Sequence, residues 1–263
     1  MTSLHKLLVN LVPFSYAFNT RIASGKSLLG LLSTEHLFVL FVVYVGTFGS
    51  SFTITSFIIV ILRASLAYIA FYALYEVGYL VNDHFSIRYE ANPTIRETGG
   101  VHVPIFIVSR IAWFLIVVLV LAQLFRIPSI QILVPSGLLL TVEFLHNFVA
   151  IRVQEARFYT FIVLRLLRYT FVVSLLVPGE SLNTVVIMLP PLAHSLMTYL
   201  ESHWGHAKEL TVKSFVLRYS VFLPLQVFLL GAVNLILILP NLIILITSTL
   251  FLAVNGDTKV KVR

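Results

Sequence analysis

The chain has 263 residues, 59% of them apolar and 11% charged, with a mean hydropathy of +0.98 and a formal net charge of +7. A soluble domain carries about 25% charged residues, so this composition excludes a soluble enzyme, a disordered chain and a repeat solenoid, and makes lipid the principal solvent. The absence of cysteine excludes disulfide scaffolds, thiolate zinc sites, iron–sulfur clusters and cysteine nucleophiles.

In chain order, Leu4, Leu7, Leu8 and Leu11 recur at helical spacing ahead of Asn19, Thr20 and Arg21. No compact basic-then-apolar run with a small-residue cleavage site is present, so the start is not expected to be a cleavable signal. Residues 3–33 are expected to form one or two helices lying along the cytoplasmic interface, within an interfacial segment 1–35. Apolar runs long enough to cross about 30 Å of hydrocarbon then follow near 36–50, 54–80, 104–125, 129–151, 158–178, 183–200, 214–236 and 239–255. The last two divide one stretch, Ser214 to Asn255, at Pro240-Asn241. Reversals fall at Gly49-Ser50-Ser51, Ile127-Pro128 and Pro178-Gly179. The expected fold is an all-α polytopic membrane protein, a bundle of about eight transmembrane helices with an N-terminal interfacial helix.

Lysine and arginine orient this bundle. Lys6, Arg21, Lys26, Arg88, Arg96, Arg152, Arg157, Lys208, Lys213, Lys259, Lys261 and Arg263 fall on one side and Arg126 on the other. This positive-inside bias puts both termini, the loops 81–103 and 201–213 and the basic tail 256–263 in the cytoplasm. The charge therefore serves topology, and no nucleic-acid partner is expected. The oligomeric state is left open.

Charged groups inside spans are costly, by roughly 2.5–3.5 kcal/mol each on insertion scales, so they mark the bundle interior. Glu143, His146 and Asn147 stand at i, i+3 and i+4, and Arg165, Arg168 and Tyr169 repeat the spacing. His194 and Glu201, seven apart, share a stripe. Together with Glu76 they predict a polar cavity opening to the cytoplasm. Arg63, Arg110 and Arg218 are read as snorkelling or simply paired. Glu143 with His146 reads equally as an interhelical hydrogen bond or as a substrate contact. Arg165 and Arg168 repel unless an anion lies between them, either a ligand or a carboxylate such as Glu143.

The segment from Tyr75 to Glu90 is the most informative. Asn82 and Asp83 end a span, and Glu90 follows seven residues after Asp83, so that hard oxygen ligands would lie on one helical stripe. Magnesium takes one or two such carboxylates together with waters and substrate phosphates. Downstream, 92–100 is a polar, turn-rich stretch with a cation, Arg96, suited to close over a phosphate.

These residues resemble the first signature of the UbiA superfamily of intramembrane prenyltransferases, NDxxDxxxD after the second span, preceded by glycine and followed by a basic, proline-containing loop. Here the pattern reads Gly78, Asn82-Asp83, Glu90, Pro93, Arg96 and Gly99, with Ser86 in place of the middle acid. The second signature, after the sixth span, falls on 199–210. Glu201 stands for its first acid and Gly205 occupies the place of the second, with His206 or Glu209 as substitutes.

The resemblance implies magnesium-dependent transfer of an isoprenoid group from a diphosphate donor to a membrane-associated acceptor. It makes Asn82, Asp83, Glu90 and Glu201 metal-facing, the three acids catalytic, and Arg96 and Lys208 phosphate contacts. Arg21 takes the place of a basic residue that often precedes the family's first span. With Arg165, Arg168, Glu143 and His146 these form the expected substrate-binding set. One branch of the family transfers a phosphoribosyl group to a polyprenyl phosphate instead. Outside that chemistry stand two alternatives: a non-catalytic protein of the same fold, suggested by Ser86 and Gly205, and a small transporter.

Overall fold

The computed structural model describes residues 3–21, 36–49, 53–89, 100–149 and 154–180, isolated positions between 185 and 193 and between 242 and 250, and the short strands 209–211 and 259–261. The chain divides into two units, Met1–Gly179 and Glu180–Arg263. The second is described chiefly by one antiparallel pair, β1 (Glu209–Thr211) with β2 (Lys259–Lys261), in which Leu210 faces Val260. All the other regular elements described are helical. The expected spans 183–200, 214–236 and 239–255 fall mostly outside the described residues.

The first unit holds α1 (Ser3–Leu11), α2 (Ser15–Arg21), α3 (Leu37–Phe48), α4 (Ile54–His84), α5 (Val103–Leu124), α6 (Ser129–Phe144), continued by a π-helical turn (Leu145–Val149), and α7 (Gln154–Leu176). Among the described residues four segments are long and apolar enough to cross a membrane: Ile54–His84, Val103–Leu124, Ser129–Phe148 and Ala156–Leu176. Their outward faces carry large apolar side chains such as Val108, Leu119, Ile130 and Phe144, each more than half exposed. In water such a surface would aggregate; in a bilayer it is the solvated face.

Local chemistry sets the helix ends. Thr53 and Ser56 form a capping box at the start of α4: Thr53 Oγ1 accepts from the Ser56 amide at 3.0 Å and Ser56 Oγ accepts from the Thr53 amide at 3.2 Å. The Ser56 hydroxyl also meets Tyr44 OH of α3 at 3.1 Å, joining the two helices. Pro104 sits in the first turn of α5 and Pro128 just before α6, where a missing N–H costs nothing. Pro135 lies inside α6.

The helix α4 outruns its expected end at residue 80 and reaches His84, so Asn82 and Asp83 lie in helix rather than in the loop 81–103. The reason is tertiary: both side chains find partners on neighbouring helices. At 31 residues α4 is about 46 Å long, longer than a hydrocarbon core. Beyond it the chain turns at Phe85 into a 3₁₀ segment, Ser86–Tyr89. The α-helix that carries Asp83 thus stops at His84, and Glu90 lies outside the described residues.

The N-terminal segment is a helical hairpin. The chain reverses at Val12–Phe14, where Phe14 takes a left-handed φ of 74°. Ser15 Oγ donates to the carbonyl of Leu8 at 2.9 Å and to that of Val12, tying the end of α1 to the start of α2. The Phe14 ring meets Tyr72 of α4 edge-on at 4.8 Å. Val9 and Asn10 are buried while Leu7, Leu8 and Leu11 are exposed, so α1 packs on α5 by its narrower, partly polar face.

Candidate functional site

Two polar clusters line opposite faces of the last three turns of α4. Successive helical residues are rotated by about 100°, so Glu76, Leu80 and Asp83 form one stripe, toward the hairpin and α5. Tyr75, Gly78 and Asn82 form another, toward α6 and α7.

On the first stripe Glu76 and Arg110 make an ion pair, Arg110 Nε to Glu76 Oε2 at 2.7 Å, with both side chains fully buried. The guanidinium also donates to the Val9 carbonyl at 3.0 Å and the Asn10 carbonyl at 3.3 Å, and lies 4.1 Å from the Phe106 ring centroid. The other oxygen of Glu76 accepts the Ala17 amide at 2.7 Å, satisfying a donor in the first turn of α2. Asn10 completes the joint: its side chain donates to the carbonyls of Lys6 and Gly100 and accepts the His102 amide, while Ser109 Oγ donates to its carbonyl at 2.6 Å. Nearer the helix end, Tyr16 OH donates to Asp83 Oδ2 at 2.9 Å. Of the two expectations for Arg110, snorkelling or simple pairing, the structure shows pairing, with Glu76 as the partner; Asn10 was not singled out in the sequence. The signal was available. Glu76 lies eight residues before the end of α4 and Arg110 seven after the start of α5, which puts both about 10–12 Å from adjoining helix ends.

On the second stripe Arg157 Nη2 donates to Asn82 Oδ1 at 2.9 Å. Asn82 and Asp83, adjacent in sequence, thus face different neighbours, and the only side-chain bond between them is a long one of 3.4 Å. Gly78 packs directly against Glu143. A Cβ there would lie 2.5 Å from the Glu143 carboxyl carbon, so with any other residue the Glu143 side chain would have to swing aside. Asn147 Nδ2 donates to the Gly78 carbonyl at 3.2 Å. His146 turns away to α7, its Nδ1 within 2.8 Å of Thr160 Oγ1. The trio 143, 146 and 147 therefore serves two helices rather than one face, and the π-turn supplies that rotation. Deeper in the bundle, Tyr75 has both Arg165 and Arg168 as electrostatic neighbours, and the Arg165 guanidinium stands 5.2 Å over the Phe161 ring. Glu143 Oε1 is buried and meets no hydrogen-bond partner among the described residues.

For the remaining expected site residues no side chain is described. Arg21 ends α2, its side chain undescribed. Glu90, Arg96, Glu201 and Lys208 lie outside the described residues, as does His194. Among the described residues no three of His, Asp and Glu gather as a metal site. Asp83 offers a carboxylate already holding a phenol, and the amide oxygen of Asn82 is taken by a guanidinium. No family model, curated protein or solved structure matches this chain.

Proposed function

We propose that this is a multi-pass membrane transferase that moves an isoprenoid group from a diphosphate donor to a membrane-associated acceptor, with magnesium as the donor's counter-ion. In this reading the eight-span bundle holds, the hairpin α1–α2 lies at the cytoplasmic interface with Leu7, Leu8 and Leu11 toward lipid, and both termini are cytoplasmic. The observation that carries it is the basic stripe of α7 facing polar groups of α4. Arg157 meets Asn82 near the helix end, and Arg165 and Arg168 lie beside Tyr75 further in.

Guanidiniums in an apolar bundle suit a ligand with an anionic head and a greasy tail. They hold phosphate oxygens by paired hydrogen bonds and neutralise the charge that develops on a departing diphosphate. Phosphoribosyl transfer to a polyprenyl phosphate asks for the same anion-binding stripe and differs in the donor.

The test is transfer by purified protein, with prenyl diphosphates and phosphoribosyl diphosphate supplied in parallel, membrane lipid extracts as acceptors, and a chelator arm. Chelator-sensitive transfer from one donor supports the reading and identifies the branch. No transfer from any donor refutes it and favours a non-catalytic protein of related fold. That second reading has its own observation: Asp83 and Asn82 are both engaged by protein partners, Tyr16 and Arg157.

A further inference from the structure

We infer that the Glu143–Gly78 contact is a binding site for the hydroxyl group of a lipid-soluble ligand. Glu143 is 6% exposed, yet Oε1 has no hydrogen-bond partner among the described residues. Buried polar atoms are nearly always satisfied, and one left bare costs the desolvation of that atom with nothing in return. A bare acceptor persists where a ligand supplies the donor.

The surroundings are built to keep it bare. Gly78 gives up its side chain so that the carboxyl group can lie against the α4 backbone. Asn147, the nearest amide along the helix, is turned to the Gly78 carbonyl. His146 is turned to Thr160. The π-turn that begins at Leu145 carries both of them, and such turns recur at functional sites.

Charge and solvent choose the ligand's chemistry. The site is buried among helices apolar enough to cross a membrane, and an ammonium donor would have to carry its charge out of water to reach it. A hydroxyl donates without adding charge. The outward faces around the site are apolar, with Phe144 and Tyr159 exposed, so the ligand reaches it through lipid. On the transferase reading, from which this inference takes the ligand's role, the hydroxyl belongs to the acceptor.

The experiment compares farnesol with farnesyl methyl ether, which has the same chain and no donor, at equal mole fraction in detergent micelles holding the purified protein. The alcohol is expected to raise the melting midpoint above that given by the ether. Glu143→Leu is expected to melt no lower than wild type when empty, because a bare carboxyl is removed, and to lose the preference for the alcohol. Glu143→Gln keeps an acceptor oxygen and is expected to keep the preference. If the Leu variant does not fold, Glu143→Ala carries the same comparison. Equal shifts by alcohol and ether in the wild type overturn the inference, as does a preference that survives in the Leu or Ala variant. An alcohol preference without transfer in the donor assay refutes the transferase reading alone; transfer without the preference refutes this site alone.

Discussion

The Glu76–Arg110 pair is expected to be what holds the N-terminal hairpin against the bundle, and its removal has a calculable effect. Replacing one partner of a buried pair leaves the other charge uncompensated, at a cost of about 3–5 kcal/mol. In Glu76→Leu the bare group is Arg110, whose other bonds run to Val9 and Asn10 of α1. The protein escapes the penalty by letting the hairpin leave. At 1.4 kcal/mol per tenfold, the open population should then rise by roughly two to three and a half decades. The chain has no cysteine, and Ala17 is 1% exposed, so Ala17→Cys provides one buried thiol whose maleimide labelling reports opening. Adding Glu76→Leu should raise the labelling rate by at least a hundredfold. Adding Arg110→Leu as well removes the stranded charge but strands the Val9 carbonyl and the Ala17 amide, each worth about 1–3 kcal/mol. The double variant should therefore label more slowly than Glu76→Leu and still about tenfold or more above background. Labelling of Glu76→Leu at the background rate would refute the assignment of the pair as the hairpin's anchor.

Gly78→Ala sets a methyl group 2.5 Å from the Glu143 carboxyl carbon, which must swing aside, and should destabilise the protein by about 1 kcal/mol in a denaturant melt; Glu143→Ala should rescue it, and additive losses would argue against the contact. Tyr16→Phe removes the buried bond to Asp83 and should lower stability by about 1–3 kcal/mol; Asp83→Ala should show a comparable loss, so a fall in its activity counts as catalytic only after comparison with Tyr16→Phe. Tags at the two ends of the chain should both report a cytoplasmic location, because the sequence puts twelve of the thirteen cations outside its expected spans on one side; a C-terminal tag on the opposite face would mean that 214–255 is wrongly divided.

Much of the first unit's architecture is written in local sequence. Expected spans at 54–80, 104–125, 129–151 and 158–178 correspond to α4, α5, α6 with its π-turn, and α7, since a run of apolar residues bounded by proline and glycine leaves little alternative in lipid; 36–50 is helical over α3, whose 12 residues are too few to cross a hydrocarbon core. The discrepancies have tertiary causes. Hydropathy ends α4 at residue 80 because Asn82, Asp83 and His84 are polar. The helix continues because Arg157 and Tyr16, 75 and 67 residues away, satisfy two of those side chains. The hairpin was harder still to foresee. Its leucines advertise a lipid-facing stripe, whereas it docks through Asn10 and through backbone carbonyls, which carry no signature in the sequence.

The candidate site was legible as a list of residues and not as an arrangement. Asn82 and Asp83 look like a ligand pair because they are adjacent, yet adjacency on a helix means divergence by about 100°. On α4 that rotation hands the amide to α7 and the acid to α2. The stripe that does converge is Tyr75, Gly78 and Asn82, whose middle member contributes by having no side chain. Spacing of chemically active residues cannot reveal a glycine's part in a site, because its contribution is the approach of another helix. The buried carboxyl of Glu143, fitted against Gly78, and the arginines of α7 place the polar interior between α4, α6 and α7. The Asp83 side of α4, closed by Tyr16, belongs to the attachment of the hairpin. A ligand that enters from lipid and engages α7 therefore need not displace the hairpin, and the two faces of α4 can be tested by separate mutations.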